Sequence, residues 1–416
     1  MSGSMNRIII YSILLIILAF LNPLTLEAKT IYCEFGKNQQ IEIKDNTIPL
    51  DSLDLQTINI SNISIQISNC MKKVLDSESN VILKLPAKSI NLRNPIVIQQ
   101  TKDSLSWKAI KIIGSGIEQT KIYASNGFIR ANFLTRDILI EISDFTIIPA
   151  QINSGNGIQI WIPPGGNRHN RSIILKNLLI RGENANDKNV FETSINVTGA
   201  WRILISNVFI TGPFGPNVEQ PSPGKCFVLS ECYSPEVANS ACWSMDTGLE
   251  VLSETNPGPE GIQVISSKFV DVNIGIKIEN SRAIEPEGVI SNNHINAKKI
   301  GLYLKGKKYI MINNNLFYTT GKEFIHMLLD GNEKVIITNN IFHYPNRDKP
   351  KSGISIKVQN SDDIFINNNI FSSPGIGIYQ GLNNKNLIIK DNNFSSINPI
   401  TKMILNEIEI YKEVAK

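Results

Sequence analysis

Ile290-Ser-Asn-Asn-His-Ile295, Ile312-Asn-Asn-Asn-Leu-Phe317, Ile337-Thr-Asn-Asn-Ile-Phe342, Ile366-Asn-Asn-Asn-Ile-Phe371 and Ile389-Lys-Asp-Asn-Asn-Phe394 are one phrase repeated. Each instance has an apolar residue, two polar residues, a variable one, and then two mostly apolar positions. Aligning the third letter gives Ser267, Asn292, Asn314, Asn339, Asn368 and Asp391, at spacings of 25, 22, 25, 29 and 23 residues. Less cleanly, the phrase runs back through Asn207, Asn177 and Asp144. A period in the low twenties holds neither a helix pair nor a propeller blade, and fits one coil of a solenoid made from short strands.

Residues around the phrase alternate apolar and polar, as in Gly301-Leu-Tyr-Leu304 and Tyr309-Ile-Met-Ile312. That is the period-2 signature of half-buried strands. Stacked coils put equivalent positions about 4.8 Å apart, so the recurring third-letter Asn is expected to form a side-chain amide ladder. The fold class is therefore all-β: a right-handed parallel β-helix solenoid. His294 and His343 fall inside the phrase and read as rung residues.

Outward from the repeats, both ends of a solenoid need covering, because an open end exposes strand edges and core. Residues 399–416, apolar at Ile400, Met403, Ile404, Ile408 and Ile410, read as a C-terminal cap, either a short helix or a strand. At the other end Ile60, Ile63, Ile67, Cys70 and Val74 have helical spacing, although Ile63, Ile65 and Ile67 also alternate like a strand. The β-helix is expected over 81–398, after an N-terminal segment over 29–80.

Residues 1–28 read as a signal peptide: Met5-Asn-Arg7, an apolar run from Ile8 to Leu21, Pro23, and a small residue at Ala28. Leu26 departs from the cleavage pattern and leaves an uncleaved anchor as the alternative. The expectation is a secreted or periplasmic protein with no stable membrane span after cleavage. All five cysteines follow that segment. An oxidising compartment would allow Cys33–Cys70 and one pair among Cys226, Cys232 and Cys242, with one thiol left over. The 416 residues are 42% hydrophobic and 19% charged, with 41 basic against 37 acidic side chains. This is a large globular core without the basic run that nucleic acid would demand.

The ordered series from the capping segment through Leu85-Pro-Ala-Lys88 and the strand Asn94-Pro-Ile-Val-Ile98 to Gly114-Ser-Gly116 and Thr120-Lys-Ile122 resembles the opening of the pectate-lyase-like superfamily. Pro259-Glu-Gly-Ile-Gln-Val264 and Val272-Asn-Ile-Gly-Ile-Lys-Ile278 resemble rungs of its polygalacturonase-like and phage tailspike depolymerase branch. The resemblance covers roughly residues 57–395 and implies a helix plugging the N-terminal end. The branch's catalytic strings Asn-Thr-Asp, Gly-His-Gly and Arg-Ile-Lys are missing, as is Asp-Pro-His-Asp of related epimerases. Asn360-Ser-Asp-Asp363 reads as a turn.

The gap of 60 residues between Asn207 and Ser267 reads as a long loop over 212–256. It brings Trp243 next to Asp246 and Glu250. A second excursion after Trp161 supplies Arg168, His169 and Arg171, a third follows Arg181, and Trp201 and Arg202 open the next rung. If these leave on one side they form a groove, with Asp246 or Glu250 as acid or metal ligand and Arg168 or His169 near a substrate carboxylate or as base. Trp161, Arg171, Arg181, Trp201, Arg202 and Trp243 would bind sugar rings and anionic groups. No metal site is read from the sequence, although a lyase could use Ca²⁺. The function expected is a lyase or hydrolase acting on an acidic or capsular glycan, with a glycan-binding scaffold or an epimerase as alternatives. The expected partner is the polysaccharide, not nucleic acid.

Overall fold

The computed structural model describes residues 30–35, 41–45, 63–76 and 80–409, the last without 102–107, 135–137, 164–171, 215–220, 255–259, 281–285, 346–351, 396–397 and 405–406. The signal-peptide expectation, Arg168, His169 and Arg171 lie outside the described residues. Among those described, no helix is long and apolar enough to cross a membrane.

Each coil lays down three strands. In one coil they are Lys308–Asn313, Leu316–Tyr318 and Glu323–Asp330, here assigned to the first, second and third sheets. Every strand pairs in parallel with its equivalent in the next coil. In the first sheet, for example, Ile310 faces Val335, Val335 faces Ile364, and Ile364 faces Leu387. The alternation anticipated from the repeats decides the two faces. Ile310, Ile312, Phe317, Met327 and Leu329 are at most 1% exposed and point into the solenoid. Phe317, Phe342, Phe371 and Phe394 stack down the interior with ring centroids 5.0, 4.9 and 4.7 Å apart.

The first and second sheets meet at a one-residue bend in the left-handed backbone region. It is occupied in successive coils by Asp144, Asn177, Asn207, Asn239, Ser266, Asn292, Asn314, Asn339, Asn368 and Asp391. Short polar side chains tolerate that conformation, which explains the third letter of the phrase. The long amide ladder belongs to the fourth letter. Asn293, Asn315, Asn340 and Asn369 point inward, at most 2% exposed. The Nδ2 groups of Asn293, Asn315, Asn340 and Asn369 each donate to the Oδ1 of the next Asn at 3.0 Å, ending at Asn392. Among the described residues, third-letter side chains pair in the early coils, through Asn177 to Asp144 and Asn207 to Asn177. Ser267 is therefore a fourth-letter residue, and Ser266 is the bend. Val264 faces Ile290, which fixes that register.

The expected loop over 212–256 is a coil of the solenoid. Ser222–Ser230 and Met245–Ser253 belong to the third sheet, Glu236–Ala238 to the first and Ala241–Trp243 to the second. Two of its strands are only three residues long and its bend reads Asn239-Ser240, so the repeat phrase is not visible in this coil's sequence. Cys226 and Cys242 form a disulfide inside this coil, joining the third sheet to the second. Cys232 is the free buried thiol, and Cys70 is itself disulfide-bonded.

The ends differ from each other. Helix α1, Ile63–Asp76, buries Ile67, Cys70 and Met71 against the first coil. Thr30–Phe35 and Ile41–Asp45 form a hairpin that adds to the first-sheet strand Asn80–Lys84. At the C-terminus the end is a strand, not a helix: Asn398–Ile404 extends the third sheet and turns back antiparallel through Glu407–Glu409.

Candidate functional site

On the third sheet, alternation leaves two files of outward side chains running parallel to the axis. One passes through Arg130, Gln159, Asn196, Val228, Glu250, Lys277 and Tyr303, each facing the next across a rung. Two residues further along each strand, the other passes through Asn132, Trp161, Thr198, Ser230, Leu252, Glu279 and Lys305. The early coils thus present amides beside Trp161, which is 40% exposed. The later coils present charge.

That charge is organised. Glu250 accepts from Lys225 Nζ at 2.5 Å and from Lys277 Nζ at 3.0 Å. Lys277 also reaches Glu279 at 3.3 Å, and Glu279 pairs with Lys305 at 2.7 Å. Burial would raise the Glu250 pKa, but the two ammonium groups outweigh it and hold the carboxyl below its ordinary value. Lys305 above all holds Glu279 below its ordinary value; burial opposes it, and Lys277 adds to the lowering. Burial opposes the charge on Lys277, yet Glu250 and Glu279 raise its pKa. Tyr303 beside it keeps its phenolic proton, chiefly through burial. Asp246 lies four residues before Glu250, about 13 Å along the strand, and accepts from Asn273 at 2.8 Å and Thr247 at 3.0 Å.

The residues expected to converge divide between two edges of this face. Trp161, Trp201 and Arg202 lie at or beyond the exit of the third sheet, where Trp201 stacks on Tyr233 with centroids 4.8 Å apart. Arg181 and Trp243 end strands of the second sheet, and Asp246 opens the third-sheet strand just after them. Arg181 is committed elsewhere: it bonds Glu118 at 2.9 Å and the carbonyls of Gly182 and Glu183 at 3.0 and 2.8 Å. Lys225, Lys277, Glu279, Lys305 and Tyr303 were missed by sequence reasoning. The string Ile276-Lys-Ile-Glu279 carried the signal, because two inward isoleucines force Lys277 and Glu279 outward together. Asn360-Ser-Asp-Asp363 is the expected turn, with Asn360 and Asp363 in the left-handed region.

Residues 274–409 match the family model described as the right handed beta helix region. The right-handed parallel β-helix implied by the resemblance to the pectate-lyase-like superfamily is the fold of this chain. No curated protein matches the chain. Among solved structures it is similar to the A-module of a mannuronan C-5 epimerase from Azotobacter vinelandii, at 11% identity and a TM-score of 0.44, over 82% of this chain and 96% of that one. It is also similar to a surface protein and adhesin of Streptococcus pneumoniae, at 12% identity and a TM-score of 0.43, over 80% and 92%. A third is DFA-IIIase from Arthrobacter chlorophenolicus, at 12% identity and a TM-score of 0.42, over 82% and 86%.

Proposed function

We propose that this is an exported polysaccharide-active protein that takes an acidic glycan across the outer face of the third sheet. The observation that carries the reading is the ion-paired ladder Lys225–Glu250–Lys277–Glu279–Lys305 in line with the amides and Trp161. An aromatic face suits a sugar ring, amides suit hydroxyls, and partly open ammonium groups suit carboxylates. The Cys226–Cys242 disulfide supports a secreted or periplasmic location as part of the same proposal.

Of the two bond-breaking chemistries, elimination fits this face better than hydrolysis. Glu250 and Glu279 are one rung and two residues apart, about 8 Å, a separation that inverting hydrolysis tolerates. Hydrolysis also needs one carboxyl protonated, and the lysines hold both ionised. In elimination, Lys277 and Lys305 would neutralise the substrate carboxylate. Glu250 would take the proton alpha to it, and Tyr303 would protonate the departing oxygen as the carbon–oxygen bond breaks and the double bond forms. In this reading the counter-charge is supplied by lysine. Because both Glu250 oxygens are already engaged, a second reading is acidic-glycan recognition without turnover.

The test is incubation with a panel of acidic polysaccharides, with and without Ca²⁺. Ultraviolet absorbance of the unsaturated product, new reducing ends and binding are followed together. Absorbance that rises and is lost in Glu250→Gln supports elimination. Binding alone, weakened roughly ten-fold by Lys277→Ala, supports recognition, one lost charge pair being worth about that much. Reducing ends without absorbance would sink the chemistry argued above. No binding across the panel would sink the acidic-glycan reading itself.

A further inference from the structure

Trp243 does not face the third sheet. It ends the second-sheet strand Ala241–Trp243 and is 43% exposed on the outer side of that sheet. Its file continues across successive rungs through Val270, Asn296, Tyr318 and His343. His294, on the neighbouring file, touches Tyr318 edge-on with centroids 6.2 Å apart, and Tyr318 lies 6.0 Å from His343.

We propose that this outer face of the second sheet is a separate binding strip for an uncharged polysaccharide, laid along the axis with Trp243 and Tyr318 as its two stacking platforms.

Three observations select that ligand. The file contains no Lys, Arg, Asp or Glu from Trp243 to His343, in contrast to the charged ladder on the third sheet. Along this file an uncharged chain covers no charged side chain, and the exposed Lys268 on the neighbouring file is a lone cation beside it, not the ladder of lysines that an anionic chain meets on the third sheet. Trp243 and Tyr318 stand three rungs apart, about 14 Å at the inter-strand spacing, the reach of a short run of sugar rings. Asn296 and His343 lie on the same file; Asn296 Oδ1 is buried and His343 Nδ1 is engaged by Ser372 at 3.0 Å, which leaves the Asn296 amide nitrogen and His343 Nε2 to meet hydroxyl groups. Burial, and secondarily Lys268, holds His294 below its ordinary pKa, so the neighbouring ring is neutral at physiological pH. The strip also runs into the proposed acidic-glycan face. Only Ser244 and Met245 separate Trp243 from Asp246 on the third sheet, so a glycan anchored on one face would hold the other close to a mixed polysaccharide surface.

The test is depletion of the full-length protein from solution by insoluble cellulose, chitin and a mixed-linkage glucan. Trp243→Ala, Tyr318→Ala and Ile336→Ala are run beside the wild type, and circular dichroism establishes that each is folded. Retention of the wild type by at least one neutral polymer is expected. Trp243→Ala and Tyr318→Ala should each weaken it roughly ten-fold, the loss of one stacked anchor, while Ile336→Ala, an exposed apolar position on the first sheet, leaves it unchanged. Tyr318→Trp should restore or improve retention, which a merely structural tyrosine would not do. No retention on any neutral polymer, or retention insensitive to both anchors, would overturn the proposal. So would a dimer in sedimentation that Trp243→Ala dissolves, since a second copy would then cover the face. Because the acidic-glycan reading is tested through Lys277, either idea can fail without the other.

Discussion

Asn340 is completely buried, and both ends of its amide are in use. Its Oδ1 accepts from the backbone N–H and the Nδ2 of Asn315, both at 3.0 Å. Its Nδ2 points to the carbonyls of Ile312 and Thr338 and to Asn369 Oδ1, at 2.9, 3.0 and 3.0 Å. Asn339, one residue earlier, carries the bend, with φ at 56°. Two adjacent asparagines therefore do unrelated work, and substitution separates them. Asn340→Ala strands buried donors and carbonyls and should cost about 2–4 kcal/mol. Asn339→Gly keeps the left-handed backbone available and should stay within about 0.5 kcal/mol of wild type. Urea unfolding of the two variants decides it, and equal losses would contradict the assignment of letters. The sequence showed that the phrase was a stacking bend with an amide ladder. It could not show which of two adjacent Asn turned inward, because a one-residue shift in register exchanges the faces.

The same limit acts at the scale of the element. In the later coils the phrase is nearly invariant, so strands, period and outward files such as Lys277 and Glu279 are all recoverable from it. Around Asn239 the bend is Asn-Ser, the flanking strands Glu236–Ala238 and Ala241–Trp243 are short, and Pro and Gly crowd the approach. Pattern alone then reads a loop, although backbone pairing to both neighbouring coils makes it a rung. A corner of the solenoid separates the site residues: Trp243 and Asp246 are close in sequence but lie on different sheets. The Cys226–Cys242 disulfide spans 16 residues and crosses the interior of this coil. Replacing both cysteines by alanine should cost about 3 kcal/mol on a loop-entropy basis, read as a lower denaturant midpoint. Burial pushes the Cys232 thiol up to about 12, so it should neither exchange with the disulfide nor react with iodoacetamide in the folded protein. Rapid labelling of Cys232 without denaturant would show that this coil opens.

For the whole molecule, a solenoid couples each coil mainly to its neighbours, so a local liability should be felt locally. His326 is such a liability. It occupies the third-sheet position held by Gly248, Gly275 and Gly301 in the preceding coils, aligned by the flanking pairs. It is 2% exposed and contacts Ser373 Oγ at 3.1 Å. Burial, with a smaller effect from His343, lowers its pKa from 6.5 to about 3. Between those values the unfolded chain takes up a proton that the folded chain refuses. Stability is complete above about pH 6.5 and falls as pH drops toward 3, by at most about 1.4 kcal/mol per pH unit from this group. The lysine-held carboxylates of Glu141, Glu250 and Glu279 add their loss only below about 4.5. Acid should therefore loosen the molecule first around His326. Hydrogen-exchange protection factors should fall between pH 7.5 and 5 for amides of residues 300–373, while the strands of residues 138–211 hold. In His326→Gln the slope of stability between pH 6.5 and 4.5 should flatten. Uniform loss along the solenoid, or an unchanged slope in that variant, would mean that the acid response is a property of the whole charge distribution and not of one buried ring.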